Sequence, residues 1–245
     1  MADKVAIVTG GSLGLGREVA RSLLAQGYKV AIFGRSRTNL EAAQRDLGNV
    51  LAVSVDVSDS GSVAAGFVQV DAALGPVEVL VNVAGIFAPF AIEDATPENV
   101  QPMIAVNLCG PIYCMREATP RMRKIGRGDI VNVSSASVRL PTPYLSMYTS
   151  TKAALETMTL LMADELKPDN IRSMVFRVGQ MSSEGARSMQ IPDHLVERFI
   201  DRYQKTGAAH WNGEPMDPKS AADALTRLLL TARDARVDLV EVRSA

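Results

Sequence analysis

Residues 4–16 read Lys4-Val5-Ala6-Ile7-Val8-Thr9-Gly10-Gly11-Ser12-Leu13-Gly14-Leu15-Gly16, and this stretch decides the fold. Val5 to Val8 are apolar without alternation, the pattern of a parallel strand covered by helices on both faces. Beyond the glycines, Leu15, Val19 and Leu23 recur at i, i+4 and i+8, one face of a helix that stops at Gly27. Glycine lets backbone N–H groups approach a ligand, and the first helical turn adds partial positive charge, so strand, turn and helix together suit a pyrophosphate. The spacing of Gly10, Gly14 and Gly16 is G-x-x-x-G-x-G, not G-x-G-x-x-G. No Lys-Ser/Thr follows Gly16, which excludes a P-loop.

The same unit repeats outward. Segments 29–33, 50–55, 79–83, 129–133 and 171–177 have the length and Val/Ile content of buried strands, and 237–242 alternates as an edge strand would. Thr96-Pro97 supplies an N-cap with proline at the first helical position, opening a helix over 97–123. Pro111 lies inside it and has no N–H, so the carbonyl of Asn107, four residues back, is free to hold a water. Residues 147–166 form another helix, ended by Pro168. This alternation specifies an α/β fold: a doubly wound, mostly parallel, seven-stranded sheet with helices on both faces. No linker or repeat divides 1–245, so a single domain is expected. Only 179–218 breaks the rhythm. It mixes Met181, Met189, Ile191, Phe199, Tyr203, Trp211 and Met216 with polar residues, and reads as a partly helical lid over a site at the carboxyl ends of the strands.

Composition narrows the function. Lys+Arg 26 against Asp+Glu 27 gives a net charge of -1, which removes a bulk electrostatic footprint for nucleic acid or anionic membrane. The 2 cysteines, Cys109 and Cys114, read as small buried hydrophobes. With only 2 histidines, His194 and His210, no metal site is expected. The longest apolar stretch, 77–92, is interrupted by Glu78 and Asn82 and is too short to span a bilayer. Met1-Ala2-Asp3-Lys4 runs into a strand without an export leader, so the cytoplasm is the expected location.

Tyr148-Thr149-Ser150-Thr151-Lys152 carries the chemistry. Residues four apart share a helix face, and a Lys ammonium beside a Tyr favours the phenolate, lowering its pKa toward that of a usable general acid/base. Ser134-Ser135, at the end of the strand leading into this helix, can hold a substrate oxygen against Tyr148. Taken alone, the Tyr–Lys spacing fits an ordinary surface pair better than a site.

Taken together, these features resemble the short-chain dehydrogenase/reductase family, a Rossmann-type fold, over the chain up to about Leu230. The glycine loop, Asp56-Val57, Asn82-Val83-Ala84-Gly85, Asn107, Ser135, Tyr148, Lys152 and Val178-Gly179 come in the family's order and spacing. The family's spacing selects Ser135 over Ser134, and Tyr148 over Tyr144. The resemblance implies hydride transfer between a nicotinamide and a carbonyl/alcohol carbon. Tyr148 would handle the proton, Ser135 would polarise the oxygen, and Lys152 would bind the ribose and tune Tyr148. Asn107 would link Lys152 to solvent through water. It also implies a dinucleotide held by Gly10, Ser12, Leu13, Gly14, Leu15 and Gly16. Farther along the cofactor would come Asp56, receiving the adenine amino group, and Val57. Asn82, Ala84, Gly85, Val178, Gly179, Met181 and Ser183 would complete the contacts.

The second strand runs into Gly34-Arg35-Ser36-Arg37. An NAD enzyme usually places a carboxylate where Gly34 stands, and a guanidinium suits a 2′-phosphate. NADP(H) is therefore the preferred cofactor, NAD(H) a possible one, and a small carbonyl/alcohol compound the expected substrate. The preference rests on Arg35, because Leu13 stands where some NADP-dependent relatives carry a second basic residue. The family also departs here: Val83 replaces an asparagine, Val178 a proline, Ser183 a threonine, and the tail lacks glycines. A homodimer or homotetramer through 97–123 and 147–166 is implied. The rival readings are a dinucleotide-binding regulator without turnover and a C=C or imine reductase on the same fold.

Overall fold

The computed structural model describes residues 4–140, 142–182, 191–207 and 213–244. Seven strands form one sheet: β1 (Val5–Thr9), β2 (Lys29–Gly34), β3 (Val50–Ser54), β4 (Val79–Asn82), β5 (Gly128–Ser135), β6 (Ile171–Val178) and β7 (Leu239–Val242). Their order is β3-β2-β1-β4-β5-β6-β7, and every pairing is parallel. The chain winds one way from β1 to β3 and the other way from β4 to β7. The reversal falls between β1 and β4, and such switch points open a crevice at the carboxyl ends of the strands.

Helices cover both faces because the strands are apolar on both. Ala6 and Val8 point to the face closed by α1 (Gly14–Ala25) and α8 (Pro218–Leu228), where Val19, Leu23, Ala221 and Leu225 pack. Val5 and Ile7 point to the other face, closed by α3 (Ser60–Leu74) and α5 (Gly110–Ile125). There Phe67 meets Phe33 edge-on, with ring centroids 5.6 Å apart. The helix α2 (Arg37–Leu47) follows β2, and α6 (Ser146–Leu166) packs on β5 and β6.

The helix expected over 97–123 is two helices. The segment α4 (Pro97–Ile104) passes into a π-helical turn at Ala105–Cys109 before α5 begins. Gly110 N–H reaches back five residues to the Ala105 carbonyl. Pro111, next in line, has no N–H to continue an α ladder, and the wider turn absorbs the missing bond. Asn107 sits inside this turn, fully buried.

The 179–218 excursion leaves and returns at one place: Met181 and Met216 form a β-bridge, and Ser182 N–H donates to the Met216 carbonyl at 3.0 Å. Between them α7 (Val196–Lys205) is partly helical as expected. Met189 and Trp211 lie outside the described residues. Among the described residues no helix is long and apolar enough to cross a membrane, and no cluster of His, Cys, Asp or Glu could hold a metal ion.

Candidate active site

A cleft of about 1150 Å³ opens at the carboxyl ends of the strands, lined at one end by the glycine loop and Arg35 and at the other by Ser135, Tyr148 and Lys152. The loop is built to lie close. Gly10 and Gly14 have φ of +67° and +50°, a region costly for any side chain. A Cβ on Gly10 would lie 2.9 Å from the Ala84 Cα, and one on Gly16 only 2.2 Å from the Gly10 carbonyl oxygen. Thr9 Oγ1 accepts from the Val83 and Ala84 N–H groups at 3.1 and 3.2 Å, so the turns after β1 and β4 interlock. No side chain caps the first turn of α1, and that turn carries no carboxylate. A glycine cradle with an uncapped helix N-terminus fits an anionic pyrophosphate.

After β2, Gly34, Arg35, Ser36 and Asn39 line the cleft. Ser36 caps α2 by accepting from Asn39 N–H at 3.3 Å, and the first turn of α2 has no acidic residue. Asp56 does not line the cleft, although Val55 and Val57 do. Its Oδ1 accepts from Ser58 N–H at 2.9 Å and from Ser58 Oγ–H at 2.6 Å, the turn-capping role an aspartate takes at such a place. Partial burial pushes the carboxyl up, but the Ser58 bonds and the Arg35 charge outweigh it and hold the group below its ordinary value.

Two further candidates have side chains bonded within the protein. Asn82 is buried inside β4 and does not line the cleft; its Nδ2 donates to Asn132 Oδ1 at 2.8 Å, tying β4 to β5. Its role is sheet support, while Ala84 and Gly85 line the cleft. The side chain of Asn107 is committed. Oδ1 accepts from Ile86 N–H at 2.7 Å, and Nδ2 donates to the Ile86 carbonyl at 2.9 Å and to Thr151 Oγ1 at 3.2 Å. A water link to Lys152 would therefore use the Asn107 backbone. Ser12, Leu13, Gly14, Leu15, Val178, Gly179 and Met181 all line the cleft, and Ser183 lies outside the described residues.

Lys152 lies one turn after Tyr148 on α6, buried, with Nζ donating to the Val133 carbonyl at 2.9 Å and 5.9 Å from the Tyr148 ring centroid. Burial lowers the ammonium pKa to about 8, against the opposing pull of Glu156. Burial pushes Tyr148 up instead, and the hydrogen bond with Ser135 pulls it back in part. The expected effect of Lys152 on Tyr148 is thus not the leading one here: the ammonium is turned to β5, and Ser135 supplies the compensating bond. Glu156 is held by Arg177 through two bonds of 2.9 and 2.6 Å, and Arg177 also reaches Glu241 at 3.0 Å.

Aromatic side chains close the rest. Phe87 meets the Tyr148 ring edge-on at 4.9 Å, and Phe199 and Tyr203 of α7 stack at 5.8 Å and line the cleft. Tyr144, passed over for Tyr148, takes a left-handed φ of 61°, and its ring faces Phe199 and Arg198. His194 is exposed and pairs with Asp94 at 2.8 Å. Sequence reasoning missed Phe87 and Ser137. The i, i+4 spacing of Phe199 and Tyr203 was a readable sign of one aromatic helix face.

A doubly wound sheet with a glycine cradle at its switch point is a dinucleotide-binding fold. The short chain dehydrogenase family model matches residues 4–192, and the chain belongs to that family. It is 37% identical over 166 residues to the 2-dehydro-3-deoxy-L-rhamnonate dehydrogenase (NAD(+)) of Sphingomonas sp., covering 67% of each chain. It is 34% identical to the Bos taurus 3-oxoacyl-(acyl-carrier-protein) reductase over 81% of this chain and 83% of that one. Among solved structures, the 3-ketoacyl-(acyl-carrier-protein) reductase of Brucella melitensis complexed with NADH superposes with a TM-score of 0.86 at 26% identity, covering 98% of this chain and 96% of that one. A metagenomic short-chain oxidoreductase in complex with NADP gives 0.80 at 27% identity, covering 99% and 97%.

Proposed function

We propose that this oxidoreductase interconverts a ketone and a secondary alcohol with NADP(H), Tyr148 acting as general acid/base. The observation that carries the reading is the convergence of Ser135, Tyr148 and Lys152 on one end of a cleft whose other end is the glycine cradle. A bound nicotinamide supplies the hydride. In the reducing direction Tyr148 Oη–H donates to the carbonyl oxygen as negative charge grows there, and Ser135 Oγ–H holds the same oxygen. Lys152 keeps a positive charge behind the tyrosine at neutral pH, and Glu156 favours that charged form. Phe87, Phe199 and Tyr203 exclude water and suit an apolar substrate. On this reading 179–218 is the lid.

Arg35, with Ser36 and Asn39 at the start of α2, offers a guanidinium and a helix N-terminus to a 2′-phosphate, and Gly34 presents no carboxylate against it. The two relatives are named for different substrates, and one of them for NAD(+), so the preference for NADP(H) rests on these residues. Exposed Ile112 and Leu161 support a dimer or tetramer built through α5 and α6, which light scattering tests. Following the loss of reduced-nicotinamide absorbance with NADPH, NADH and a panel of ketones tests the activity. Cofactor binding without turnover on any ketone would replace it with a binding role.

A further inference from the structure

Ser135 Oγ accepts from Ser137 N–H at 3.2 Å and from Ser137 Oγ–H at 3.0 Å. A hydroxyl has two acceptor sites and one proton. With both acceptor sites filled from one side, the Ser135 proton has only the opposite direction left, toward the Tyr148 hydroxyl and the place of the reacting oxygen. The chain extends one step further: Ser137 Oγ accepts from Thr149 Oγ1–H at 3.1 Å.

Thr149 is distinct among the threonines of α6. Thr151, Thr157 and Thr159 donate to backbone carbonyls three or four residues back in their own helix. Thr149, beside Tyr148, reaches across to the turn after β5. Ser137 stands there at the wall of the cleft, 9% exposed, and its hydroxyl is engaged on both sides by Ser135 and Thr149.

We infer that Ser137 and Thr149 are positioning residues that fix the Ser135 proton toward the reacting oxygen, through a directed run of hydroxyls from Thr149 to Ser137 to Ser135. The inference rests on the proton-handling roles proposed for Ser135 and Tyr148. The Ser135 bond also holds the Tyr148 pKa down against burial, which gives the run a readout independent of turnover. The charged groups behind Tyr148 are Lys152 on α6 and, beyond it, Glu156 with Arg177 of β6; Asp129, the charged residue of β5, lies at the strand's opposite end from Ser135 and is paired with Arg172 and Arg233.

The test is a phenolate absorbance titration of the whole protein, with the Tyr148 contribution isolated by difference against Tyr148→Phe. Ser137→Ala should move the Tyr148 midpoint upward and lower kcat about five- to tenfold, the effect of one neutral hydrogen bond, with KM for NADPH unchanged. Thr149→Val should act in the same direction, and Thr149→Ser should restore both readouts. If Ser137→Ala and Thr149→Val both titrate and turn over as the wild type does, the hydroxyls serve only the turn and the inference falls. A wild type that turns over no ketone would sink the proposed activity, and the titration would still decide the hydroxyl run.

Discussion

Tyr148 and Lys152 are each pulled away from their ordinary values by burial, in opposite directions along the pH scale. For Tyr148→Phe the proton at the ring position is lost and the shape is kept. NADPH binding should persist while kcat falls at least about 100-fold, as when a general acid is removed; calorimetry and steady-state rates check the two parts. Lys152 falls from 10.5 to about 8 in the folded protein. The unfolded chain therefore binds more protons than the folded one between these values, and stability should rise with pH across that window. Below about pH 8 the buried ammonium costs on the order of 3 kcal/mol. Urea unfolding of wild type and Lys152→Met should show the wild type gaining on the variant as pH rises through the window. A constant difference would mean that Lys152 is not depressed. Arg35 is the residue on which cofactor choice turns. Arg35→Ala should weaken kcat/KM for NADPH about 10- to 100-fold, the range of a charge-assisted bond, and leave NADH unaffected.

The elements hold these side chains by close approach. Since a Cβ on Gly16 would meet the Gly10 carbonyl oxygen, Gly16→Ala must lift α1 off its loop. We expect about 1–3 kcal/mol of destabilisation, read by denaturant unfolding, together with weaker binding of both NADPH and NADH. The largely buried pair Glu156–Arg177 joins α6 to β6. Arg177→Met should cost about 3–5 kcal/mol, because Glu156 keeps its charge and loses its partner; a value near zero would show that Glu156 takes up a proton or finds water. At this scale the sequence was readable where local pattern and tertiary structure agree. Val5 to Val8 and the glycines foretold β1, its turn and α1. Pro111 marked Asn107 as the place where the α ladder lacks a donor, but a missing N–H does not say that the helix will widen to a π turn and divide there. The strand-end position of Asn82 was legible, whereas its side-chain direction depends on a neighbour far along the chain, Asn132 in β5; the turn that Asp56 caps at Ser58 is local. The Arg177–Glu156 pair and the Thr149–Ser137 contact join residues whose partners no spacing rule reveals.

Across the whole molecule, the strand order sets the function's geometry. The reversal between β1 and β4 puts the glycine cradle beside the turn at Ala84, and β5 and α6 bring Ser135, Tyr148 and Lys152 to the opposite end of the same cleft. The excursion pinned by Met181 and Met216 brings Phe199 and Tyr203 to line the same cleft. One measurement bears on the whole arrangement: steady-state reduction of a ketone panel with NADPH and with NADH by wild type and Tyr148→Phe. The arrangement predicts turnover by the wild type, higher kcat/KM with NADPH, and loss of turnover in Tyr148→Phe with NADPH still bound. Undiminished turnover in Tyr148→Phe would contradict it.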